Sequence, residues 1–120
     1  MTTTLQGKQA EDLAAAYLEQ QQYRILQRNY RSRYGEIDII GCEGEVLCFV
    51  EVRMRTSTEQ CHPLETITEA KRHRLIRTAM DYLSRQDNFD QAARFDVISI
   101  VPQHEGPANI ELIKNAFDVE

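Results

Sequence analysis

The chain has 120 residues, of which 42% are hydrophobic and 28% charged, with a formal net charge of −5. That length and balance fit one soluble globular domain over residues 1–120, long enough to bury its own core. They exclude a membrane-spanning helix, since no apolar run reaches the necessary length, and the negative charge argues against a strong general nucleic-acid binder.

The charge is unevenly spread. Residues 1–23 carry −2, residues 24–77 carry +2 and residues 78–120 carry −5. Basic groups therefore gather in the middle of the chain, which softens the objection to a polyanionic partner, although a solvated, balanced surface explains charge alone equally well. The N-terminal stretch MTTTLQGKQAEDLAAAYL lacks a basic region followed by an apolar run, so no secretory signal is expected. Cys42, Cys48 and Cys61 cannot all pair with one another and form no CxxC, which suits reduced thiols in a cytoplasmic protein. A zinc site from Cys61, His62 and another cysteine matches no usual spacing.

Residues 7–22 read as an amphipathic helix, with Ala10, Leu13, Ala14, Tyr17 and Leu18 on one face and Glu11 at its edge. Tyr23 to Arg31 reads as a strand whose imperfect alternation predicts an edge position or a bulge. Ser32 to Gly35 is a turn. Gly35–Gly41 and Glu45–Met54 are the clearest strands, joined at Cys42-Glu43-Gly44, and their apolar content on both faces predicts central strands covered on two sides. Arg55 to Pro63 is a polar loop. A long helix follows from about Leu64 to Arg85, with Leu75, Ile76, Ala79, Met80 and Leu83 as its core stripe and Arg74, Arg77, Asp81 and Arg85 outside. After a loop at residues 87–93 come strands at Arg94–Val101 and Ile110–Ile113. The order α-β-β-β-α-β-β predicts an α/β or α+β fold, one mixed sheet flanked by helices.

Acidic side chains inside apolar strands are costly unless paired or bound to a metal. Glu36 and Asp38 share a strand face by alternation, as do Glu51 and Arg53. A two-residue loop at Glu43-Gly44 would set Glu36 opposite Glu51 and Asp38 opposite Phe49, with all four polar groups on one face. Asp38 would then lie diagonal to Glu51 at about 7–8 Å, a span that one cation bridges. A three-residue turn would put the two pairs on opposite faces. A hard cation such as Mg²⁺ needs only one to three carboxylates beside its waters. It acidifies a bound water and offsets phosphoryl charge, while Arg53 is placed to hold a phosphate. Asp38, Glu51 and Arg53 therefore fit a phosphodiesterase centre. They fit equally an ion-pair ladder in which Glu36 or Glu51 meets Arg53, Arg33 or Arg55.

The chain resembles the YraN family of small bacterial proteins, related in fold to restriction endonucleases and archaeal Holliday-junction resolvases. The resemblance is carried by Gly7-x3-Glu11 with Ala14 and Tyr17-Leu18, by Arg28-Asn29-Tyr30-Arg31, and by Gly35-Glu36-Ile37-Asp38. It continues through Phe49-Val50-Glu51-Val52-Arg53, Lys71 with Ala79 and Tyr82-Leu83, and Arg94-Phe95-Asp96-Val97. It implies a restriction-endonuclease-like core with a metal site at Glu11, Asp38 and Glu51, taking Mg²⁺ or Mn²⁺. The pattern of that fold has lysine where this chain has Arg53. Arginine keeps the charge but does not lose its proton, so it cannot act as a base. The expected activity is metal-dependent cleavage of DNA, with branched DNA and a homodimer implied by the resolvase-like relatives. No small-molecule cofactor and no membrane partner are expected. Arg24, Arg28, Arg31, Arg33, Arg55, Lys71, Arg72, His73, Arg74 and Arg77 are candidates to follow a phosphate backbone. Lys71 is favoured to point at the site. Tyr30 and Tyr34 are candidates to stack on unpaired bases, although packing explains them as well. The competing expectation is a non-catalytic nucleic-acid-binding or protein-binding domain on the same fold.

Overall fold

Two helices and five strands follow in the expected order. They are α1 (Gly7–Gln20), β1 (Tyr23–Ser32), β2 (Gly35–Glu43), β3 (Val46–Met54), a 3-10 turn at Pro63–Thr66, α2 (Glu69–Arg85), β4 (Ala93–Val101) and β5 (Asn109–Ile113). The structure is a computed structural model that describes residues 7–56, 61–87 and 90–118. The strands form one mixed sheet in the order β1-β2-β3-β4-β5. All pairs are antiparallel except β3–β4, where the crossover through α2 brings the chain back parallel. This is the expected α+β architecture, and it is compatible with a restriction-endonuclease-like core. Among the described residues no helix is long and apolar enough to cross a membrane.

Each helix covers one face of the sheet. The small side chains of Ala10, Ala14 and Ala15, with Leu18, let α1 settle on Ile39, Cys48, Val50, Ile98 and Ile100. On the other face α2 packs Leu75, Ala79, Tyr82 and Leu83 against Ile40, Cys42, Leu47, Phe49, Phe95 and Val97. The stripe of α2 is rotated from the one expected: Thr78 and Tyr82 are buried, while Met80 is 44% exposed. Tyr82 turns inward because it meets Tyr30 and Phe49 edge-on, with ring centroids 5.2 and 6.0 Å away. Thr78 tolerates burial because its hydroxyl donates to the Arg74 carbonyl one turn back, at 2.8 Å. The helix also starts later than Leu64. Thr68 caps it by accepting the Lys71 N–H at 3.1 Å, and Pro63–Thr66 forms a separate 3-10 turn.

The β2–β3 hairpin turns at Gly44-Glu45, not Glu43-Gly44, since Glu43 pairs with Val46 and Ile40 with Phe49. Gly44 adopts φ +60°, as the first position of such a two-residue turn favours. The register moves by two residues, so side chains keep their faces. Continued one step past the Ile39–Val50 pair, it sets Asp38 directly across from Glu51.

Strand β1 is an edge strand with the anticipated bulge, which leaves Leu26 unpaired between Ile25 and Gln27. A second irregularity was not anticipated. Arg28 pairs with Ile39 and Tyr30 with Ile37, yet Ile39 packs under α1 and Ile37 under α2. Regular strands would put residues two apart on one face. Between them lie Asn29, at φ +55°, and Asp38. The β1–β2 ribbon changes face across these two residues, and Asp38 sits on the crossover.

Candidate functional site

Asp38 occupies the point where the β2–β3 ladder stops. Its Oδ2 accepts the backbone N–H of Val52 at 2.8 Å, taking the place of a strand carbonyl. That bond draws the carboxyl into the seam between the strands and beside Glu51, which is only 5% exposed. Burial first, then the negative Glu51, push the Asp38 carboxyl up to about 8. The Val52 N–H opposes that rise, and Glu11 adds to it from α1. Among the described residues Asp38 has no ion-pair partner of its own.

The cations of the site stand around Glu51. Lys71, in the first turn of α2, brings Nζ to 3.2 Å from Glu51 Oε2. Arg53 brings Nη1 to 3.8 Å from the same oxygen. Its other nitrogens are engaged elsewhere: Nε donates to Thr66 Oγ1 at 3.1 Å and Nη2 to the Thr66 carbonyl at 3.3 Å. Thr66 is in turn fixed by donating to the Pro63 carbonyl at 2.6 Å. The 3-10 turn thus acts as a bracket for Arg53. Lys71 points at the site as favoured, but neither its pairing with Glu51 nor the Thr66 bracket was anticipated. A weak signal for the first existed in Thr68, whose cap sets the phase of α2; the second leaves no mark in the sequence.

The remaining candidates lie around this group. Glu11 is half-buried at the α1 edge, 3.6 Å from Arg28 Nη2, and Arg28 also holds Asp12 at 2.7 Å. Arg31 pairs across the ribbon with Glu36 at 2.5 Å, which takes Glu36 away from Glu51. Arg55 is buried, and its guanidinium donates to the carbonyl oxygen of Cys61. Arg33, Arg74 and Arg77 are exposed, whereas Arg72 lies over the Phe117 ring at 5.7 Å. His73 stands 3.9 Å from Glu69. Arg94 and Asp96, two residues apart on β4, form an ion pair at 2.9 Å. Tyr30 packs in the core, and its hydroxyl donates to Asp81.

Asp38, Glu51, Lys71 and Arg53 thus converge, while Glu11 stands behind Arg28. Among the described residues no three carboxylate, imidazole or thiol groups come close enough together to enclose an ion. The donor set of the site is therefore two adjacent carboxyls. All-oxygen donors of this number suit a hard cation that keeps most of its waters.

Several bacterial proteins are similar to this chain over nearly its whole length. The UPF0102 protein of Persephonella marina is 45% identical over 120 residues, covering 100% of this chain and 99% of its own. The UPF0102 protein NE0719 of Nitrosomonas europaea is 47% identical over 112 residues, covering 93% and 92%. The UPF0102 protein Anae109_1947 of Anaeromyxobacter sp. is 42% identical over 114 residues, covering 95% and 85%. The model of the uncharacterised protein family UPF0102 matches residues 10–100, a span that runs from Ala10 of α1 to Ile100 of β4 and holds every residue converging on Glu51. The chain belongs to the uncharacterised protein family UPF0102, the YraN family.

Proposed function

We propose that this chain is a divalent-cation-dependent nuclease-like protein that hydrolyses phosphodiester bonds in DNA, branched DNA included, in the cytoplasm. One observation carries the reading. Asp38 and Glu51 are pressed together at the open end of a strand ladder, and Asp38 has no cation of its own among the described residues. A buried carboxyl and a half-buried one so placed repel one another, and a bound cation relieves that repulsion. Asp38 and Glu51 would hold Mg²⁺ or Mn²⁺, with Glu11 reaching it through water. When bound, the ion supplies Lewis-acid charge against a phosphoryl oxygen and a more acidic water. Lys71 positions Glu51 and offers its remaining N–H groups to phosphate oxygens. Arg53, bracketed by Thr66, stabilises charge on the scissile phosphate and does not act as a base.

A second reading has its own support. Arg53 spends two donors on Thr66, and Glu11 is paired with Arg28. Both features suit a binding domain that keeps the outline of a nuclease without its turnover. A branched substrate would be met by a two-fold dimer presenting two sites. Light scattering that finds only monomer over the whole accessible concentration range removes the dimer.

The deciding experiment compares linear, nicked and four-way DNA with Mg²⁺ or Mn²⁺, using the wild type and Asp38→Ala. Cleavage lost by at least about 100-fold in the variant, with DNA binding retained, is the expected result. Cleavage unchanged by the substitution overturns the assigned site. Binding without cleavage in either metal favours the second reading.

A further inference from the structure

Most basic side chains near the central hairpin are neutralised within the chain. Arg28 meets Asp12, Arg31 meets Glu36, Lys71 meets Glu51 and Arg94 meets Asp96. Arg33, Arg74 and Arg77 are the exceptions that cluster: all are exposed, and among the described residues none is ion-paired. In a chain of net charge −5 this is an uncommon concentration of uncompensated charge.

The fold gathers them around one tyrosine. The β1–β2 turn lies against α2, where the space above Gly35 is bounded by Arg74 Cβ and Thr78 Oγ1, and Ser32 Oγ meets Thr78 Oγ1 at 3.3 Å. Tyr34, in that turn, has the Arg33 guanidinium 5.0 Å from its ring centre and that of Arg77 at 5.9 Å. Arg33 Nη2 also donates to Tyr34 Oη at 2.9 Å. The nearest acid, Asp81, is already bonded to the Tyr30 hydroxyl and to Arg85 at 3.0 Å. Ring quadrupoles hold the two guanidiniums close, but they leave the mutual repulsion to be relieved from outside. Lys71, Arg74 and Arg77 recur every three residues along α2. They span about 9 Å of helix, roughly the rise of three nucleotides in a duplex. The line runs from the partner of Glu51 to Tyr34.

We propose that Arg33, Arg74 and Arg77, arranged by Tyr34, form a phosphate-backbone clamp that guides a nucleic-acid strand along α2 to the Asp38–Glu51 pair. The direction of the strand rests on the nuclease reading; the clamp as a binding surface does not.

The test is anisotropy of a labelled mixed-sequence DNA single strand and of its duplex, titrated with salt in EDTA so that no cleavage enters. Arg33→Ala, Arg74→Ala and Arg77→Ala are each expected to weaken binding about 3–10-fold and to flatten the salt dependence by about 0.7–0.9 in log–log slope. Tyr34→Phe keeps most of the affinity and Tyr34→Ala loses as much as an arginine variant. Lys8→Ala, in the first turn of α1 on the other face of the sheet, binds like the wild type, and thermal melts of all variants coincide. Unchanged affinity and slope in the arginine variants overturn the clamp. So does an equal loss in Lys8→Ala, or a loss seen only with phosphatidylserine vesicles. If the wild type cleaves nothing in Mg²⁺ or Mn²⁺ yet the variants lose DNA, the nuclease reading fails and the clamp stands. If cleavage proceeds while the variants bind normally, the clamp alone fails.

Discussion

Asp38 is held in a protonation state that favours folding only while it is neutral. Its ordinary value near 3.8 rises to about 8 in the fold, through burial and then through Glu51. Between those values the folded chain binds the proton and the unfolded chain does not. Stability therefore declines as pH rises from about 4 to about 8 and stays lowered above that. Asp38→Asn keeps the shape and an acceptor for the Val52 N–H but removes the charge. In EDTA it should melt higher than the wild type at pH 8.5, by about 4 °C or more, and the gain should shrink at pH 5. Thermal melts at the two pH values check this, and a variant that melts lower at pH 8.5 rejects the raised Asp38. Lys71 makes the opposite contribution. Lys71→Met leaves the buried Glu51 with only the bracketed Arg53 at 3.8 Å, and should cost roughly 1–2 kcal/mol. Added Mg²⁺ should raise the melting temperature of Lys71→Met by more than that of the wild type, because it replaces the missing positive charge. An equal Mg²⁺ response in the two proteins shows that the ion does not sit near Glu51.

At the scale of elements, the site depends on a strand that does not alternate. The shared face of the hairpin hung on a turn of two residues or three, which the pairing of Glu43 with Val46 resolves as two, while parity along each strand was legible in the sequence. The exact turn was not, since Glu43-Gly44 and Gly44-Glu45 both offer a glycine in a two-residue loop. Nor was the face change across Asn29 and Asp38. It depends on one left-handed residue, and asparagine adopts that conformation without announcing it. The stripe of α2 was misplaced for a related reason: Tyr82 and Thr78 count as polar in a periodicity but find partners inside. Asn29 therefore offers a test of how backbone shape positions the acid. Asn29→Gly should fold with stability within about 0.5 kcal/mol of the wild type, because glycine reaches φ +55° freely. Asn29→Val should lose about 1–2 kcal/mol, since a β-branched residue resists that conformation. It should also lose part of any Mg²⁺-induced rise in melting temperature, as Asp38 leaves the seam. Urea titrations with and without Mg²⁺ separate the two effects. Equal behaviour of the two variants would mean that the ribbon turns without help from residue 29.

Across the whole molecule, the carboxyls of Asp96 and Asp38 are treated in opposite ways. Asp96 is 1% exposed, and every side of it is satisfied: Tyr23 donates at 2.6 Å, Arg94 at 2.9 Å and the Asn115 N–H at 2.9 Å. Arg94 continues to Glu43 at 2.6 Å, and Glu43 to Lys114 at 2.6 Å. This network joins the first residue of β1, the last of β2, the start of β4 and the segment after β5. It ties together strands that lie apart in the sheet, and the Ala116 N–H adds a bond to the Phe95 carbonyl at 2.7 Å. The ion pair was legible as two residues on one strand face; its reach was not, because its other members are scattered from Tyr23 to Asn115. Asp38, by contrast, has one backbone donor and a like charge for a neighbour. The contrast between the two acids fits the proposed reading, in which Asp38 serves the site and Asp96 the frame. Asp96→Ala should therefore behave unlike any change at Asp38. It strands Arg94, the Tyr23 hydroxyl and the Asn115 N–H together, and should cost about 3–5 kcal/mol in urea unfolding. DNA binding per folded molecule should be unchanged below the transition. Asp96→Ala retaining full stability, or losing DNA binding while still folded, would make Asp96 part of the site instead of the frame that holds it.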